Sequence, residues 1–504
     1  MKFLTMLAAT GRMPLGKQGG HMADWILRGG TVIDGTGGPR RRADVAVTGD
    51  RIAAVGKVAK STGAREIDAS GLVIAPGFID VHTHDDRALL ASDMAAKASQ
   101  GVTTVITGNC GISLAPLSLK NPPPPPLDLL GDIADYAYPR FVDYFDALDR
   151  SPPVINAAAL VGHSTLRAGT MTELDRPARA DEIARMQQRL VEALGAGAIG
   201  LSTGLYYAPA AHAPSEEVEA LAKLLRPAGA VYTTHMRDEA EHVLDSLDES
   251  FHVGETAQVP VVISHHKTTG VANFGRTAET LPKIAGAIQK QEIGLDAYPY
   301  VASSTVLRTE RLEDATRVLI TWSKAMPEQA GRDLADIAKE WGVGLREAAQ
   351  RLQPGGAIYW MMDEADVRRV LAFEQTMIGS DGLPHDAHPH PRLWGTFPRV
   401  LGHYCREVGL FGLETAVRKM TGLPASRFGL SGRGVLAEGA YADLTVFDPE
   451  TVIDRATFAE PTLPAAGIAH VFVNGRPVWT AGKVSGERAG RALRRQHMQA
   501  EVRG

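Results

Sequence analysis

The middle of this 504-residue chain repeats one alternation, and that alternation limits the possible folds more than any other feature. Eight short apolar or β-branched runs, each ending in polar residues, are separated by helix-like stretches such as Ala180–Leu194 and Ser215–Leu225. They are Phe78–His84, Val102–Gly108, Val154–His163, Ala198–Thr203, Val231–His235, Val259–His265, Ile293–Tyr298 and Thr376–Asp381. Buried parallel strands read as continuous apolar runs rather than as strict alternation. Eight of them interleaved with helices predict an α/β fold, a (β/α)8 TIM barrel. The runs end at positions 82, 110, 163, 203, 235, 265, 297 and 381, and five of the seven intervals lie between 28 and 40 residues, the span of one βα unit. Two intervals are longer. The 53-residue one carries five consecutive prolines, Pro122–Pro126, read as a stiff polyproline surface loop. The 84-residue one carries residues 308–374, whose helix-like runs predict an inserted subdomain after strand seven, on the catalytic side, where it could act as a lid.

Short strand-like runs between Gly and Asp turns occur at both ends of the chain, and Asn474-Gly475 is a hairpin signal. These runs predict a small β-sandwich domain built from residues 22–75 with 432–490, around a catalytic barrel at 76–431. Residues 1–21 read as a disordered N-terminal extension and 491–504 as a C-terminal tail. The apolar run Phe3–Ala9 is short for a signal peptide and no convincing small-residue cleavage site follows it. No stretch approaches the ~20 apolar residues of a membrane span. A net charge of −5 without a basic block argues against nucleic acid and anionic membrane as partners. Two cysteines, Cys110 and Cys405, cannot make a disulfide scaffold and fit a reducing, cytoplasmic setting.

Loops that follow barrel strands build the active site, so the polar residues ending the runs are the chemical candidates. The first run ends in His82-Thr83-His84, and two histidines at i, i+2 on a strand project to one face. The second ends in Asn109-Cys110, the fifth in Thr234-His235, the sixth in His265-His266-Lys267 and the eighth in Ser380-Asp381. Taken singly, a strand-end His, a buried Cys or a turn Asp is commonly structural. Five strand ends converging on one mouth predict a metal site. Thiolate and imidazole ligands suit zinc better than magnesium or calcium. Zinc with an open coordination position lowers the pKa of bound water to about 7 and polarises a carbonyl. Asp381 could then take the proton of the attacking water and hand it to the leaving group. That describes amide hydrolysis. No Gly-rich dinucleotide fingerprint follows a strand, which argues against oxidoreduction. Cys405, in the helix-like Leu401–Val408 stretch, reads as packing.

At these residues a resemblance emerges. Ile74–His84 (IAPGFIDVHTH) resembles the opening signature of the amidohydrolase superfamily, and Ala440–Leu444 (AYADL) its closing signature. Five segments resemble the D-aminoacylase (N-acyl-D-amino-acid deacylase) family: Gly101–Pro116 (GVTTVITGNCGISLAP), Gly200–Tyr207 (GLSTGLYY), Thr234–Glu239 (THMRDE), Ile263–Lys267 (ISHHK) and Leu295–Tyr300 (LDAYPY). The resemblance implies that Cys110 stands in for the carboxylated lysine that bridges two metals in related enzymes. It further implies a tight zinc site of Cys110, His235 and His265, and a second, weaker position lined by His82, His84 and Asp381. His265 is favoured over His266 because His265 and Lys267 would share one strand face. By the same comparison Lys267, Tyr298, Ser304 and Arg392 would hold the substrate α-carboxylate. Tyr206, Tyr359 and Met362 would line an apolar side-chain pocket suited to neutral D-residues. The expected partner is a small N-acyl-D-amino acid, and the expected assembly a monomer or small homo-oligomer. Two other readings stay open. A hydantoinase-like cyclic amidase would normally need a carboxylated lysine, and the fourth run has none. A catalytically silent barrel scaffold would be expected to leave gaps in the ligand set.

Overall fold

The computed structural model describes residues 23–495; the expected extension at 1–21 and residues 496–504 of the expected tail lie outside them. Each apolar run contains a parallel strand. They are β1 (Phe78–Asp80), β2 (Val102–Thr107), β3 in two pieces (Asn156–Ala159 and Val161–Gly162), β4 (Gly200–Gly204), β5 (Val231–His235), β6 (Val261–Ile263), β7 (Ile293–Ala297) and β8 (Thr376–Ile378). Each pairs in parallel with the next. The barrel closes between β8 and β1 through a parallel bridge from Thr83 to Gly382 and a 2.8 Å bond from Asp381 N–H to the His82 carbonyl. Closure therefore falls beside two of the candidate ligands.

Alternate residues of the strands face opposite ways, which explains why the runs are apolar throughout. Ile79, Val81, Ile106, Ala158, Leu160, Ile199, Val231, Val262 and Met377 form one buried cluster. Phe78, Val105, Ala157, Leu201, Tyr232, Val261, Leu295 and Ile378 belong to another, shared with the helices. The helix Ala180–Gly195 shows how its sequence dictates this packing: Met186, Leu190, Ala193 and Leu194, three or four residues apart, are its buried stripe. No described helix is long and apolar enough to cross a membrane.

Two buried charge networks pin the barrel. Lys97 Nζ lies 2.8 Å from Asp80 and 3.2 Å from Asp85, and donates to Ser380 Oγ at 2.7 Å, joining β1 to the end of β8. Elsewhere, Glu217 on the helix Ser215–Ala222 accepts from Arg167 and lies 2.9 Å from His163 Nε2, both on the helix His163–Ala168. Each buried carboxylate is matched, which burial requires.

Both ends of the chain supply the strands of one nine-stranded mixed sheet, with Val73–Pro76 antiparallel to Leu444–Phe447. The sheet curls until Trp25 meets Phe472, ring centroids 5.4 Å apart, across two intervening strands. Asn474 (φ 48°) and Gly475 (φ 79°) make the expected tight turn between Ile468–Val473 and Arg476–Thr480. Between β7 and β8 a three-stranded antiparallel sheet forms from Ala302–Val306, Arg317–Ser323 and Gly355–Trp360, with helices Leu334–Trp341 and Leu345–Leu352. Its sheet begins before position 308, directly after the barrel strand.

The Glu217 network yields a pH-dependent prediction. Burial opposes its charge, but His163 and Arg167 outweigh that and hold the carboxyl down to about 2. A carboxyl held below its unfolded value stabilises the fold above that value and loses this contribution as pH falls towards the folded one. Glu217→Gln should lower stability near neutrality by on the order of 3 kcal/mol. The gap in thermal midpoint from the parent chain should narrow as pH drops below about 4.5. A gap that stays constant from pH 7 to pH 3 would contradict the assignment.

Candidate metal centre and active site

The strand ends do more than place side chains at the mouth. Cys110 (φ 53°), His265 (φ 36°) and Asp381 (φ 50°) all have left-handed backbones, uncommon for residues other than glycine and costing about 1–3 kcal/mol each. The chain has left its strand at each point and turned a side chain inward. Gly111 makes the Cys110 turn possible: its φ is 76°, and a Cβ there would lie 2.7 Å from the Gly204 backbone nitrogen.

Two groups of ligand-type side chains result. His82, His84, Cys110 and Asp381 form one, and Cys110, His235 and His265 the other; within each, the ligand atoms lie within 4.8 Å of one another. Cys110 belongs to both. Its Sγ is 3.2 Å from His82 Nε2 and 3.4 Å from His265 Nε2, and His265 Nε2 is 2.8 Å from His235 Nδ1. Asp381 Oδ1 lies 3.2 Å from His84 Nε2 and 3.5 Å from His82 Nε2. All six residues are buried.

A ring of charged groups orients these ligands from behind. Asp296 Oδ1 is 3.2 Å from His82 Nδ1 and also accepts from the His265 backbone N–H at 2.9 Å. Glu239 Oε1 is 3.1 Å from His265 Nδ1 and 2.7 Å from Lys267 Nζ. Arg392 Nη1 lies 2.9 Å from Asp381 Oδ2. At Cys110, Asp381 and Glu239 burial works against the charge, and neighbours outweigh it. His82 and His265 hold the Cys110 thiol well below its ordinary value, and Arg392 and His82 do the same for Asp381. Glu239 is likewise held low, by Lys267 and then the two histidines His235 and His265. The Cys110 thiolate and the Asp381 carboxylate are thus favoured in their ionised forms, as metal ligation requires.

A narrow cleft opens onto the cluster. Of the expected α-carboxylate residues, Lys267, Tyr298 and Ser304 line it, while Arg392 is fully buried behind Asp381, donating to the Ser304 carbonyl at 3.0 Å with its ring-stacked face on Tyr298. The expected apolar pocket is arranged differently. Tyr359 is buried in the core of the insert, its hydroxyl taken up by the Arg308 N–H and the Val306 carbonyl. Met362 packs with Tyr298 and Tyr300. Tyr206 stacks on His235 and accepts from Arg311 Nε at 2.8 Å. The cleft wall instead carries Tyr207, Leu129, Thr305, Leu383 and Arg311. His266 turns away to Thr280, 2.8 Å distant, and His163 is held by Glu217, outside the cluster. Glu239 and Asp296 lie inside the THMRDE and LDAYPY runs, the one sequence signal that marks them. Leu129 follows the proline run, and no sequence periodicity points to Arg311.

The family profile described as "Amidohydrolase family" matches residues 65–342 and 309–479. D-aminoacylase of Alcaligenes xylosoxydans xylosoxydans is 58% identical over 473 residues, covering 94% of this chain and 98% of its own. The chain belongs to the amidohydrolase family, in its D-aminoacylase branch. A solved structure of D-aminoacylase, from work on its binuclear metal centre with one-metal activation and second-metal attenuation, is similar to this amidohydrolase at 59% identity. Its TM-score is 0.92, covering 94% of this chain and 100% of that one. N-acyl-D-glutamate deacylase from Bordetella bronchiseptica, solved with zinc and a phosphonate mimic of the tetrahedral intermediate, is 47% identical. The TM-score is 0.91 and the coverage the same.

The second ring of this amidohydrolase generates a prediction. Glu239 fixes the His265 ring through Nδ1, and loss of such a partner typically weakens metal binding 10- to 100-fold, as an order of magnitude. Glu239→Gln should lower zinc retention by about that factor in a chelator competition. Unchanged retention would remove Glu239 from the ligand-orienting ring.

Proposed function

We propose that this amidohydrolase is a zinc-dependent N-acyl-D-amino-acid deacylase, releasing a carboxylate and a free D-amino acid. The observation that carries the reading is the pair of ligand groups sharing one buried thiolate. The donor set fits zinc: a soft sulfur and imidazole nitrogens on one side, imidazoles and a carboxylate on the other. Cys110, His235 and His265 would hold the tight ion; His82, His84 and Asp381, with Cys110, a second, weaker one. Zinc, when bound, supplies Lewis acidity toward the amide carbonyl and toward water.

The protein's own groups account for the rest. Asp381 has one oxygen against His84 and His82 and the other against Arg392, so its carboxylate is fixed in direction. It takes the proton of the attacking water and delivers it to the departing nitrogen, the general base and acid of the reaction. Lys267, with Tyr298 and Ser304, faces the cleft and suits the substrate α-carboxylate. Leu129, Tyr207 and Leu383 offer apolar wall to neutral D-side chains.

The finer architecture is read in the same way. The curled terminal sheet, with its own core of Leu27, Val45, Val47, Leu444 and Phe472, supports a small sandwich domain of residues 22–75 with 432–490 around a barrel at 76–431. The insert at 308–374 has a separate core and contributes Arg311 to the cleft, which supports a lid. A thiolate ligand with no cysteine partner suits a reducing, cytoplasmic setting. The protein works on a small molecule, without nucleic acid or membrane, as a monomer or small homo-oligomer.

Two measurements test the reading. Zinc-replete protein should hydrolyse N-acetyl-D-methionine and leave the L-enantiomer essentially untouched; equal rates, or no turnover of the D-form, would sink it. Cys110→Ala should lose the tight zinc in elemental analysis, whereas full occupancy in that variant would contradict the ligand assignment.

A further inference from the structure

The proline run Pro122–Pro126 is a sequence feature that the metal chemistry leaves without a role. It belongs to an excursion of residues 119–136 after β2, closed at its base by the antiparallel pairing of Leu117–Ser118 with Ala137–Tyr138. Proline nitrogens cannot donate, so the run is held by its carbonyls. Pro124 accepts from the Leu127 N–H at 2.8 Å, and Pro126 from the Leu129 N–H at 3.0 Å. The Tyr136 hydroxyl donates to the Leu127 carbonyl at 2.5 Å. These bonds set one tight turn, Leu127–Leu129, and the turn delivers the buried Leu129 to the wall of the cleft.

One side chain joins this excursion to the rest of the mouth. Arg87, in the loop after β1, splits its fork between two other loops. Nη1 donates to Asp135 Oδ2 at 2.8 Å, and Nη2 to His385 Nδ1 at 2.8 Å. Asp135 directly precedes Tyr136, and its Oδ2 also accepts from the Asp132 N–H at 2.8 Å. Gly131 leaves room for that carboxylate: its φ is 152°, and a Cβ there would collide with Asp135 Oδ2. His385 lies just beyond Leu383, which lines the cleft. Burial and the guanidinium hold the His385 imidazole down to about 4, so Nδ1 is a neutral acceptor. Arg87 does not itself line the cleft, and 33% of its side chain is exposed. A partly exposed ion pair adds little to global stability. A planar fork that takes one partner from each of two loops instead fixes their spacing.

We propose that Arg87 is a positioning residue for substrate selection. It latches the proline-rich excursion to the loop after β8, and so holds Leu129 and Leu383 as the apolar wall that meets the D-side chain. The inference rests on the deacylase reading and deepens its account of how the cleft chooses among neutral D-residues. The two partners of the latch come from different loops, so losing either contact loosens the wall and leaves every metal ligand in place.

The side chain of N-acetyl-D-methionine is long enough to meet the wall and that of N-acetyl-D-alanine is not, so the ratio of their kcat/KM values on zinc-replete enzyme reads the wall. Arg87→Gln and Asp135→Asn, on opposite sides of the latch, should each lower the methionine-to-alanine ratio by about three- to tenfold, through KM rather than kcat. The double variant should lose no more than either single one, and neither substitution should lower the ratio further in a Leu129→Ala background. Zinc content should stay at the parent value. Hydrogen exchange at the Leu127–Leu130 amides should quicken in both variants, a readout independent of any substrate. An unchanged ratio in both variants, an equal loss on the two substrates, or effects that add to that of Leu129→Ala overturn the proposal. Loss of zinc or unchanged exchange does the same. Thermal midpoints establish folding, and Asp135→Asn carries the test if Arg87→Gln does not fold. Failure of the deacylase reading shows differently: the parent enzyme would hydrolyse no D-substrate, while the exchange comparison would still report on the latch.

Discussion

A buried thiolate is costly to hold in a protein interior unless cations surround it, and Cys110 sits at the mouth of a closed barrel with imidazoles 3.2 Å and 3.4 Å from its sulfur. Much of the rest of the site follows from that one placement. The imidazoles need acceptors behind them to stay oriented, and Asp296 and Glu239 provide them. Those carboxylates need cations in turn, and Lys267 serves Glu239. Each shell of charge is balanced by the next, so the ligands are pre-organised by electrostatics as well as by packing. The same sequence of pairings explains why the barrel closes where it does. Lys97, Asp80 and Ser380 tie β1 to the end of β8 immediately behind His82 and Asp381.

The barrel was legible because its strands are buried on both faces, so each appears as an unbroken apolar run ending in polar residues. Composition and spacing alone count eight of them, and eight strands form. The same logic brings His82, His84, Cys110, His235, His265 and Asp381 together, since each closes a run. What it does not contain is the turn at the end of the run. β6 stops at Ile263, so His265 and Lys267 do not share a strand face; His265 turns inward through a left-handed backbone, and Lys267 reaches back to its Nδ1 at 2.8 Å. Strand alternation and the observed turn thus favour the same histidine for different physical reasons.

Residues outside the runs were harder to read for a physical reason. Glu239 and Asp296 act through pairings 26 to 31 residues or more away in sequence, or across the barrel to His82, and no local periodicity encodes them. The insert is harder still. Its antiparallel sheet starts at Ala302, so Ser303, Ser304 and Thr305 reach the cleft as strand residues and Tyr359 is drawn into the core of the insert. A position that resemblance assigns to a substrate pocket can thus become a framework residue when the element that carries it packs on itself.

That packing decides what each element brings to the site. The strand ends fix the reacting atoms, and they come from a barrel whose charges are already matched in pairs. Lys267 faces the cleft while Arg392 lies buried behind Asp381, and each carries a carboxylate partner. Arg311 reaches the same cleft from the insert, seated on Tyr206 and lacking such a partner among the described residues. The ligand atoms are therefore held by the barrel, while the insert, with a core of its own, adds Arg311 to the wall of the cleft.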